Sequence, residues 1–379
     1  MANLQFTENM EQRLKSQVKN LRWAMLHIDK LLFFILIALS IIGLITLYSA
    51  SNQNMAAVDK QALRMGLGFL LMFLFAQIPP RIYQKWAPWL FITGLLLLAA
   101  VLVIGRVDQG ARRWLVLGPL RFQPSEFMKI VVPMAIAWFF SEREIPPHYK
   151  TLAIATAMLG IPFLLVAKQP DLGTALLIGG AGASVIIFAG IQWRILLTVI
   201  TGVIASCPLL WHFMHAYQKK RILVFLNPES APLGDGYHII QSKIAFGSGG
   251  IFGKGWLHGT QSHLSFLPAH TTDFIFALCG EEFGLIGCII ILLIYLAVFM
   301  RCLAISARAQ DTFTRLLGGS LSFMFILSAF INVGMVIGIL PVVGVPLPLI
   351  SYGGSSIVTI MASFGILMSI HTHKKLWNS

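Results

Sequence analysis

The sequence predicts an all-α polytopic membrane protein, with about ten transmembrane helices and one long extracytoplasmic loop between helices 7 and 8. Of its 379 residues, 57% are apolar and 11% are charged, whereas a soluble domain carries about 25% charged residues. The apolar residues fall into long runs, and a helix that crosses a bilayer needs about 20 of them. Lipid is therefore the expected solvent for most side chains, and the soluble fold classes are excluded.

An even number of spans places both termini on the same side of the membrane, which we expect to be the cytoplasm. Residues 1–30 form a basic cytoplasmic segment, in which 10–26 has the pattern of an amphipathic surface helix. One transmembrane domain then covers 31–375, and 376–379 is a short cytoplasmic tail. The predicted spans are 31–51, 62–79, 86–105, 124–141, 151–167, 172–191, 194–214, 272–302, 314–340 and 348–371.

The net charge of +13 does not indicate nucleic acid, because the basic residues are scattered between apolar runs and form no nucleic-acid-binding motif. With both termini inside, the excess of Lys and Arg on the inner side is small. Basic residues that lie outside against this bias cluster in 106–129 and in the long loop 215–271. They favour an anionic ligand on the outer face, with lipid phosphates as the alternative.

The first polar motif lies between the third and fourth spans. It carries Arg112 and Arg113, followed by Gln-Pro-Ser-Glu-Phe-Met-Lys at 123–129. Proline suits the first turn of a helix, so Glu126 and Lys129 share a face at a spacing of three. Ionisable residues at the edge of a span are candidates for function, and we predict that these four charged residues contact a substrate. A structural ion pair between Glu126 and Lys129 is the alternative.

The second motif is a tight break between two spans, in which Asp171 follows Gln-Pro. A carboxylate in the first turn of a helix is favoured by the helix dipole. The sequence therefore favours a capping role for Asp171, with contact to a substrate or a metal as the alternative.

The third motif ends the polar, glycine-rich stretch 236–284, where Asp273 lies at the start of a predicted span. At about 100° per residue, Glu281 lies about 80° and Glu282 about 180° from Asp273, so the three cannot share one narrow face. We expect Glu282, or both glutamates, to hold a neighbouring helix. Among basic residues such as Lys254, Asp273 is expected to stay ionised and to accept a proton from a substrate hydroxyl. A helix cap is the alternative.

The fourth motif is the stretch 340–356, which is rich in proline, glycine and serine and predicts a re-entrant turn before the last span. Ser351 is placed to cap that helix, and the glycines let backbone amides approach a ligand. Ser351 and Ser355 are therefore candidate substrate contacts, and the intramembrane Asn332 is a candidate support. Close helix packing is the alternative.

Together the four motifs resemble those of the SEDS family (shape, elongation, division and sporulation) of peptidoglycan glycosyltransferases. Its members show Arg-Trp and Gln-Pro-Ser-Glu-x-x-Lys, Gln-Pro-Asp-Leu-Gly-Thr, Thr-Asp-Phe-Ile-Phe-Ala with Glu-Glu, and Pro-Leu-Pro-x-x-Ser-Tyr-Gly-Gly-Ser-Ser. The matching stretches here are 113–129, 169–174, 272–282 and 346–356. The likeness covers 31–375 and is greatest to the elongation branch.

This resemblance implies a polymerase that joins lipid II into β-1,4-linked glycan strands at the outer face of the bacterial inner membrane, during cell elongation and rod-shape maintenance. The implied partners are lipid II, the undecaprenyl-diphosphate-linked glycan, membrane lipids and a class B penicillin-binding protein. Asp273 is the implied base, and Arg112, Arg113, Lys129 and Lys254 would face the departing diphosphate. A divalent cation, Mg or Mn, is expected to share that task at an unassigned site. No organic cofactor is expected.

The chain departs from the family at Ala269 and Thr271, where members often carry a glutamate and a histidine. We therefore assign no catalytic role to His270. Two other functions stay open on the residues alone. Prolines and polar residues inside the spans favour a lipid flippase or transporter, and the long loop favours a scaffold that positions a transpeptidase.

Overall fold

The computed structural model describes residues 27–108, 111–117, 120–213, 216–230, 235–260 and 271–373. This part of the chain forms twelve α-helices, one short 3-10 helix (Pro228–Ser230) and a three-stranded sheet. The helices are α1 (Lys30–Ala50), α2 (Met55–Gln77), α3 (Pro80–Ile104), α4 (Pro124–Ser141), α5 (Tyr149–Lys168), α6 (Leu172–Phe188), α7 (Trp193–Phe213), α8 (Ala216–Leu226), α9 (Asp235–Ser248), α10 (Ile275–Ala307), α11 (Thr312–Val336) and α12 (Ser355–Thr372).

Every predicted span coincides with a helix, which confirms the predicted fold class. Among the described residues, six helices (α1, α3, α5, α10, α11 and α12) are long and apolar enough to cross a bilayer, and α6 is a shorter apolar helix. The chain is therefore a multi-pass membrane protein, while ten crossings stay a prediction. The surface helix predicted at 10–26 lies outside the described residues, as do Ala269 and His270.

A small antiparallel sheet between α3 and α4 was not predicted from the sequence. Its strands are β1 (Arg106–Asp108), β2 (Ala111–Leu117) and β3 (Leu120–Phe122), in the order β1-β2-β3. Leu115 pairs with Phe122 across the second hairpin. Alternation along β2 places neighbouring side chains on opposite faces of the sheet, which separates Arg112 from Arg113.

The centre of the molecule is formed by α4, α11 and α12, whose side chains are mostly buried. Helix α12 runs parallel to α2, with Gly68 beside Met361 and Gly365 beside Met72. A β-carbon at Gly365 would lie 2.5 Å from the carbonyl oxygen of Met72. Only a residue without a side chain allows the two backbones to approach this closely.

The predicted loop 215–271 is largely structured where it is described. Helix α9 lies in this segment, and its Ser242 hydroxyl donates to the Val336 carbonyl oxygen at 2.9 Å. The Phe246 ring lies 5.9 Å from that of Phe276 on α10. Helix α9 therefore packs on the start of α10 and the end of α11, instead of lying free at the membrane surface.

The packing of α12 on α2 predicts that Gly365→Ala is destabilising, by about 1–3 kcal/mol for an overpacked site. Gly160→Ala on α5 is the matched control, because a β-carbon there meets no atom within 4 Å. Thermal unfolding in detergent should show a lower midpoint for Gly365→Ala and an unchanged or higher midpoint for Gly160→Ala. Equal midpoints for the two variants would contradict the close approach.

Candidate active site

Asp273 lies in a turn just before α10, and three groups fix the backbone of that turn. The Asn332 side-chain amide donates to the Asp273 carbonyl oxygen at 2.8 Å. The Ser351 hydroxyl donates to the Thr272 carbonyl oxygen at 2.5 Å, and the Tyr352 amide donates to that of Thr271 at 2.9 Å. The turn is thus held by α11 and by the segment that precedes α12, which fixes the direction of the Asp273 side chain.

The carboxylate of Asp273 lies beside Gly344, where an added β-carbon would be 3.7 Å from its Oδ2. Burial raises the pKa of Asp273 above its ordinary value, and the positive charge of Arg113 opposes that shift. A raised pKa makes a carboxylate a stronger base, because proton affinity rises with pKa. The sequence predicted an ionised carboxylate among cations, but it did not predict that burial has a larger effect on the pKa of Asp273 than those cations.

Arg113 links Asp273 to the second polar motif. Its Nη2 donates to the Pro170 carbonyl oxygen at 2.7 Å, and its Nε lies 3.8 Å from the Asp171 carboxylate. Asp171 caps α6 by accepting from the Thr174 amide at 3.3 Å. It also accepts from the Gln123 side chain at 3.2 Å. The capping role favoured from the sequence is therefore observed, and the same carboxylate also holds Arg113.

Arg112 is directed away from this cluster. Its exposed guanidinium donates to the Leu102 carbonyl oxygen at the end of α3, at 3.1 Å. Of the two arginines, which lie on opposite faces of β2, Arg113 is the one whose charge lowers the pKa of Asp273. The sequence treated the two arginines as equivalent, and the structure separates them.

Glu126 and Lys129 form the ion pair given as the structural alternative. The Lys129 ammonium lies 2.7 Å from the Glu126 carboxylate, and both side chains are largely buried in the first turns of α4. A buried pair of this kind is costly to break. That Lys129 contacts a substrate stays a proposal, in which the substrate would meet the Glu126–Lys129 ion pair intact.

The predicted capping role of Ser351 is wrong. Helix α12 begins at Ser355 after Gly354 and has no side-chain cap. The Ser351 hydroxyl instead accepts from the Leu347 amide at 2.8 Å while it donates to Thr272. Ser351 therefore supports the turn of Asp273. Ser355 lies in the first turn of α12 and is partly exposed.

Lys254, Glu281 and Glu282 form a separate group along α10. The buried Glu281 carboxylate accepts from Lys254 Nζ at 2.8 Å and from the Thr260 amide at 2.7 Å. Glu282 accepts from the Leu257 amide at 3.2 Å and from the Ser49 hydroxyl on α1. These contacts match the supporting role predicted for the two glutamates. The Lys254 ammonium is occupied by Glu281, so its predicted substrate contact would require breaking that ion pair.

The segment that contains Lys254 packs against a break in α10. Gly284 has a non-helical conformation (φ +65°). The amides of Lys254 and Gly255 donate to the carbonyl oxygens of Glu281 and Glu282, each at 3.0 Å. Gly253 fits only because it lacks a side chain, since a β-carbon would lie 2.1 Å from the Glu282 carbonyl oxygen. Residues 249–260, which we name the brace, therefore satisfy the backbone groups that the break exposes.

The described residues hold no group of three His, Cys, Asp or Glu side chains that could bind a metal ion. A divalent cation predicted from the sequence therefore has no complete protein site in this part of the chain. Magnesium is commonly held by substrate phosphates with one or two carboxylates, so Mg or Mn bound in this way stays a proposal.

The arrangement places a partly buried carboxylate, Asp273, within the electrostatic influence of the Arg113 guanidinium at the start of a transmembrane helix. It can accept a proton from a hydroxyl and stabilise negative charge on a departing group. Sequence reasoning missed Tyr352 and Gln61, which position the loop before α12. Gln61 Nε2 donates to the Ser351 carbonyl oxygen at 3.0 Å, and an isolated glutamine in a span gives no motif that could have revealed it.

Comparison with protein families matches residues 29–376 to the model described as FtsW, RodA and SpoVE, cell cycle protein. The peptidoglycan glycosyltransferase MrdB of Escherichia coli K12 is 50% identical over 355 residues, which cover 93% of this chain and 96% of MrdB. MrdB of Helicobacter pylori J99 is 35% identical over 353 residues, which cover 91% of this chain and 90% of that protein.

Two solved structures are similar over almost their whole length. One belongs to a study of the structural coordination of polymerization and crosslinking by a peptidoglycan synthase complex. It has a TM-score of 0.79 and 34% identity, and covers 90% of this chain and 97% of the other. The other, the rod shape determining protein RodA of Thermus thermophilus, has a TM-score of 0.69 and 30% identity. It covers 92% of this chain and 98% of the other.

The ion pair between Lys254 in the brace and Glu281 on α10 predicts that loss of one member destabilises the protein more than loss of the other. The Glu281 side chain is fully buried, whereas that of Lys254 is 29% exposed. Lys254→Gln leaves a buried carboxylate without its cation, so it should cost about 2–3 kcal/mol of stability. Glu281→Gln frees a lysine that can reach water and should cost less. Thermal unfolding of the two variants and of their combination measures the difference.

If Lys254 binds only a ligand and does not stabilise the fold, Lys254→Gln should unfold at the wild-type temperature. The double variant should be more stable than Lys254→Gln alone, because it removes the unpaired buried charge. Failure of this rescue would contradict a brace held by the ion pair.

Proposed function

Because this chain belongs to the SEDS family of FtsW, RodA and SpoVE proteins and is a peptidoglycan glycosyltransferase, we propose that Asp273 is the catalytic base of its reaction. The observation that carries this proposal is a partly buried Asp273 carboxylate on a fixed turn, with the positive charge of Arg113 acting on it. Such a pair supplies the two things that glycosyl transfer from a lipid diphosphate needs, a proton acceptor and a cation.

The substrate that fits this chemistry is lipid II, a disaccharide-peptide on an undecaprenyl diphosphate. Its 4-hydroxyl oxygen forms a bond with the anomeric carbon of the lipid-linked glycan, and Asp273 takes the hydroxyl proton. The bond from that carbon to the diphosphate oxygen breaks, and its electron pair leaves with the diphosphate. Arg113 is positioned to offset the charge that develops there, and inversion at carbon gives the β-1,4 linkage.

The cell-wall role follows from the relatives. Half of the aligned residues are identical to MrdB of Escherichia coli, and the fold matches that of a rod shape determining protein, which supports a role in elongation. We propose a location in the inner membrane, with both termini in the cytoplasm and the start of α10 at the outer face. A structure from a synthase complex that couples polymerization and crosslinking supports a class B penicillin-binding protein as partner.

Asp273→Asn should abolish polymerisation, because the amide side chain has nearly the same shape as the carboxylate but cannot accept the proton. General acid-base catalysis typically contributes about 10²–10⁴-fold to a rate, so a loss of at least that size is expected. Purified wild-type and variant protein would be given labelled lipid II, and the glycan strands separated by length. Wild-type rates in the variant would refute the role of Asp273, and transfer of lipid II across vesicles without polymer would refute polymerisation.

The acid limb of the pH profile of polymerisation activity tests the effect of Arg113 on the pKa of Asp273. The base works only when it is ionised, so activity should fall as pH drops through the pKa of Asp273. Because burial raises that pKa, the fall should lie above the pH expected for an exposed aspartate, about 3.9. Arg113→Gln removes a charge that lowers the pKa of Asp273 and should move the limb to higher pH.

Arg112→Gln is the matched comparison for Arg113→Gln, because Arg112 bonds to the end of α3 and does not influence Asp273 in the structure. Its polymerisation rate is measured over the same pH range. A shift of the acid limb in Arg112→Gln as large as that in Arg113→Gln would contradict the separation of the two arginines by β2.

A further inference from the structure

Arg64 on α2 is a cation with no anionic or hydrogen-bonding partner in the part of the chain that the structure describes. Its side chain is partly buried, and its Nη1 is fully buried and has no hydrogen-bond acceptor. It takes part in no ion pair or hydrogen bond with a described residue. A buried guanidinium group loses its hydration, and that loss is offset only by an anion or an acceptor.

The guanidinium group is held next to the loop that fixes Asp273. Its carbon lies 4.6 Å from the centre of the Tyr352 ring, a cation-π contact. A β-carbon at Gly354 would lie 3.5 Å from Arg64 Nε. The backbone amide of the same Tyr352 donates to the Thr271 carbonyl oxygen, two residues before Asp273. Arg64 is therefore joined to the turn of Asp273 through a single residue.

The position of Arg64 along α2 makes its charge unusual. It lies nine residues after Met55, which is about 14 Å along a helix that rises 1.5 Å per residue. The adjoining Leu63 and Leu67 are 67% and 50% exposed, as expected for side chains that face lipid. The other charged residues of α2, Asp59 and Lys60, lie nearer to its start. In the predicted span 62–79, Arg64 lies near the start of the crossing, and an ionisable residue at the edge of a span is a candidate for function.

Space for a ligand is present beside this arginine. A β-carbon at Gly353 would meet no atom within 4 Å, so the backbone there borders open space. A guanidinium group presents a planar set of donors that matches the oxygens of a phosphate. An anion bound here, at the edge of the predicted span 62–79, fits the phosphate of a molecule with a lipid tail.

We propose that Arg64 binds a phosphate of a lipid-linked diphosphate substrate, as a second cation distinct from Arg113. This inference rests on the proposed function, in which two lipid-linked diphosphates meet and only one departs. Arg113 acts on the Asp273 carboxylate and serves the departing group. Arg64 holds the other molecule by its diphosphate, on the side of the Asp273 turn that Tyr352 occupies. The phosphate of an ordinary phospholipid shares this chemistry, and the experiment separates the two.

The test compares wild type, Arg64→Gln, Arg64→Lys and the control Arg308→Gln, which changes an exposed arginine at the far end of α10. In detergent micelles without phospholipid, Arg64→Gln should raise the KM for lipid II about tenfold, as expected for one lost charged hydrogen bond. Its kcat should change little. Arg64→Lys keeps the charge and should give an intermediate KM, while Arg308→Gln should match wild type. Thermal unfolding shows whether each variant is folded.

Binding of undecaprenyl diphosphate to the same four proteins tests Arg64 without turnover. A Kd for Arg64→Gln equal to that of wild type would overturn the proposal, as would an unchanged KM. An effect of Arg64→Gln that emerges only after phospholipid is added would assign the phosphate to a phospholipid and overturn the substrate role. Weaker diphosphate binding by Arg64→Gln, together with a wild-type protein that forms no polymer, would support this site and contradict the proposed function instead.

Discussion

The attachment of the Asp273 turn to the segment before α12 is the interaction on which the rest of the site depends. Asn332, Ser351 and Tyr352 donate to three consecutive carbonyl oxygens of that turn. Two of these donors lie outside regular helix, where backbone groups in a membrane need specific partners. The hydrogen bonds satisfy the backbone of the turn and at the same time fix the carboxylate that we propose as the base, so stability and the proposed chemistry depend on the same contacts.

The environment of the carboxylate reflects two opposing influences. Burial raises the pKa of Asp273, which strengthens it as a base but favours its neutral form. Arg113 opposes this effect, and Arg113 is itself oriented by Asp171 and the Pro170 carbonyl oxygen. The motif around Asp171 therefore contributes to the site without touching the reacting atoms. A carboxylate poised in this way can ionise and still bind a proton strongly enough to assist the reaction.

The sequence was sufficient for the parts of the fold that depend on local composition. Long apolar runs fix where the helices lie, and the four polar motifs identify the segments that meet around Asp273. The partners of individual side chains were not predictable, because they depend on contacts between distant parts of the chain. Ser351 bonds to Thr272 rather than capping α12, and Lys254 bonds to Glu281.

The separation of Arg112 from Arg113 was not predictable either, because the sequence Ala-Arg-Arg-Trp-Leu-Val-Leu at 111–117 does not alternate between polar and apolar residues. It follows from the strand that this stretch forms, in which adjacent side chains face opposite ways. Arg64 had no local signal, since a lone arginine in an apolar run belongs to no motif. Its position beside Tyr352 emerges only when α2 and the segment before α12 are brought together.

The most direct test of the account is a cryo-EM structure of Asp273→Asn with lipid II bound, in which the substrates cannot react. The account predicts that a sugar hydroxyl lies within hydrogen-bond reach of the side chain at position 273, about 2.6–3.2 Å, with a diphosphate next to Arg113. A structure in which that hydroxyl lies far from position 273, or in which the diphosphate contacts neither Arg113 nor its neighbours, would contradict it.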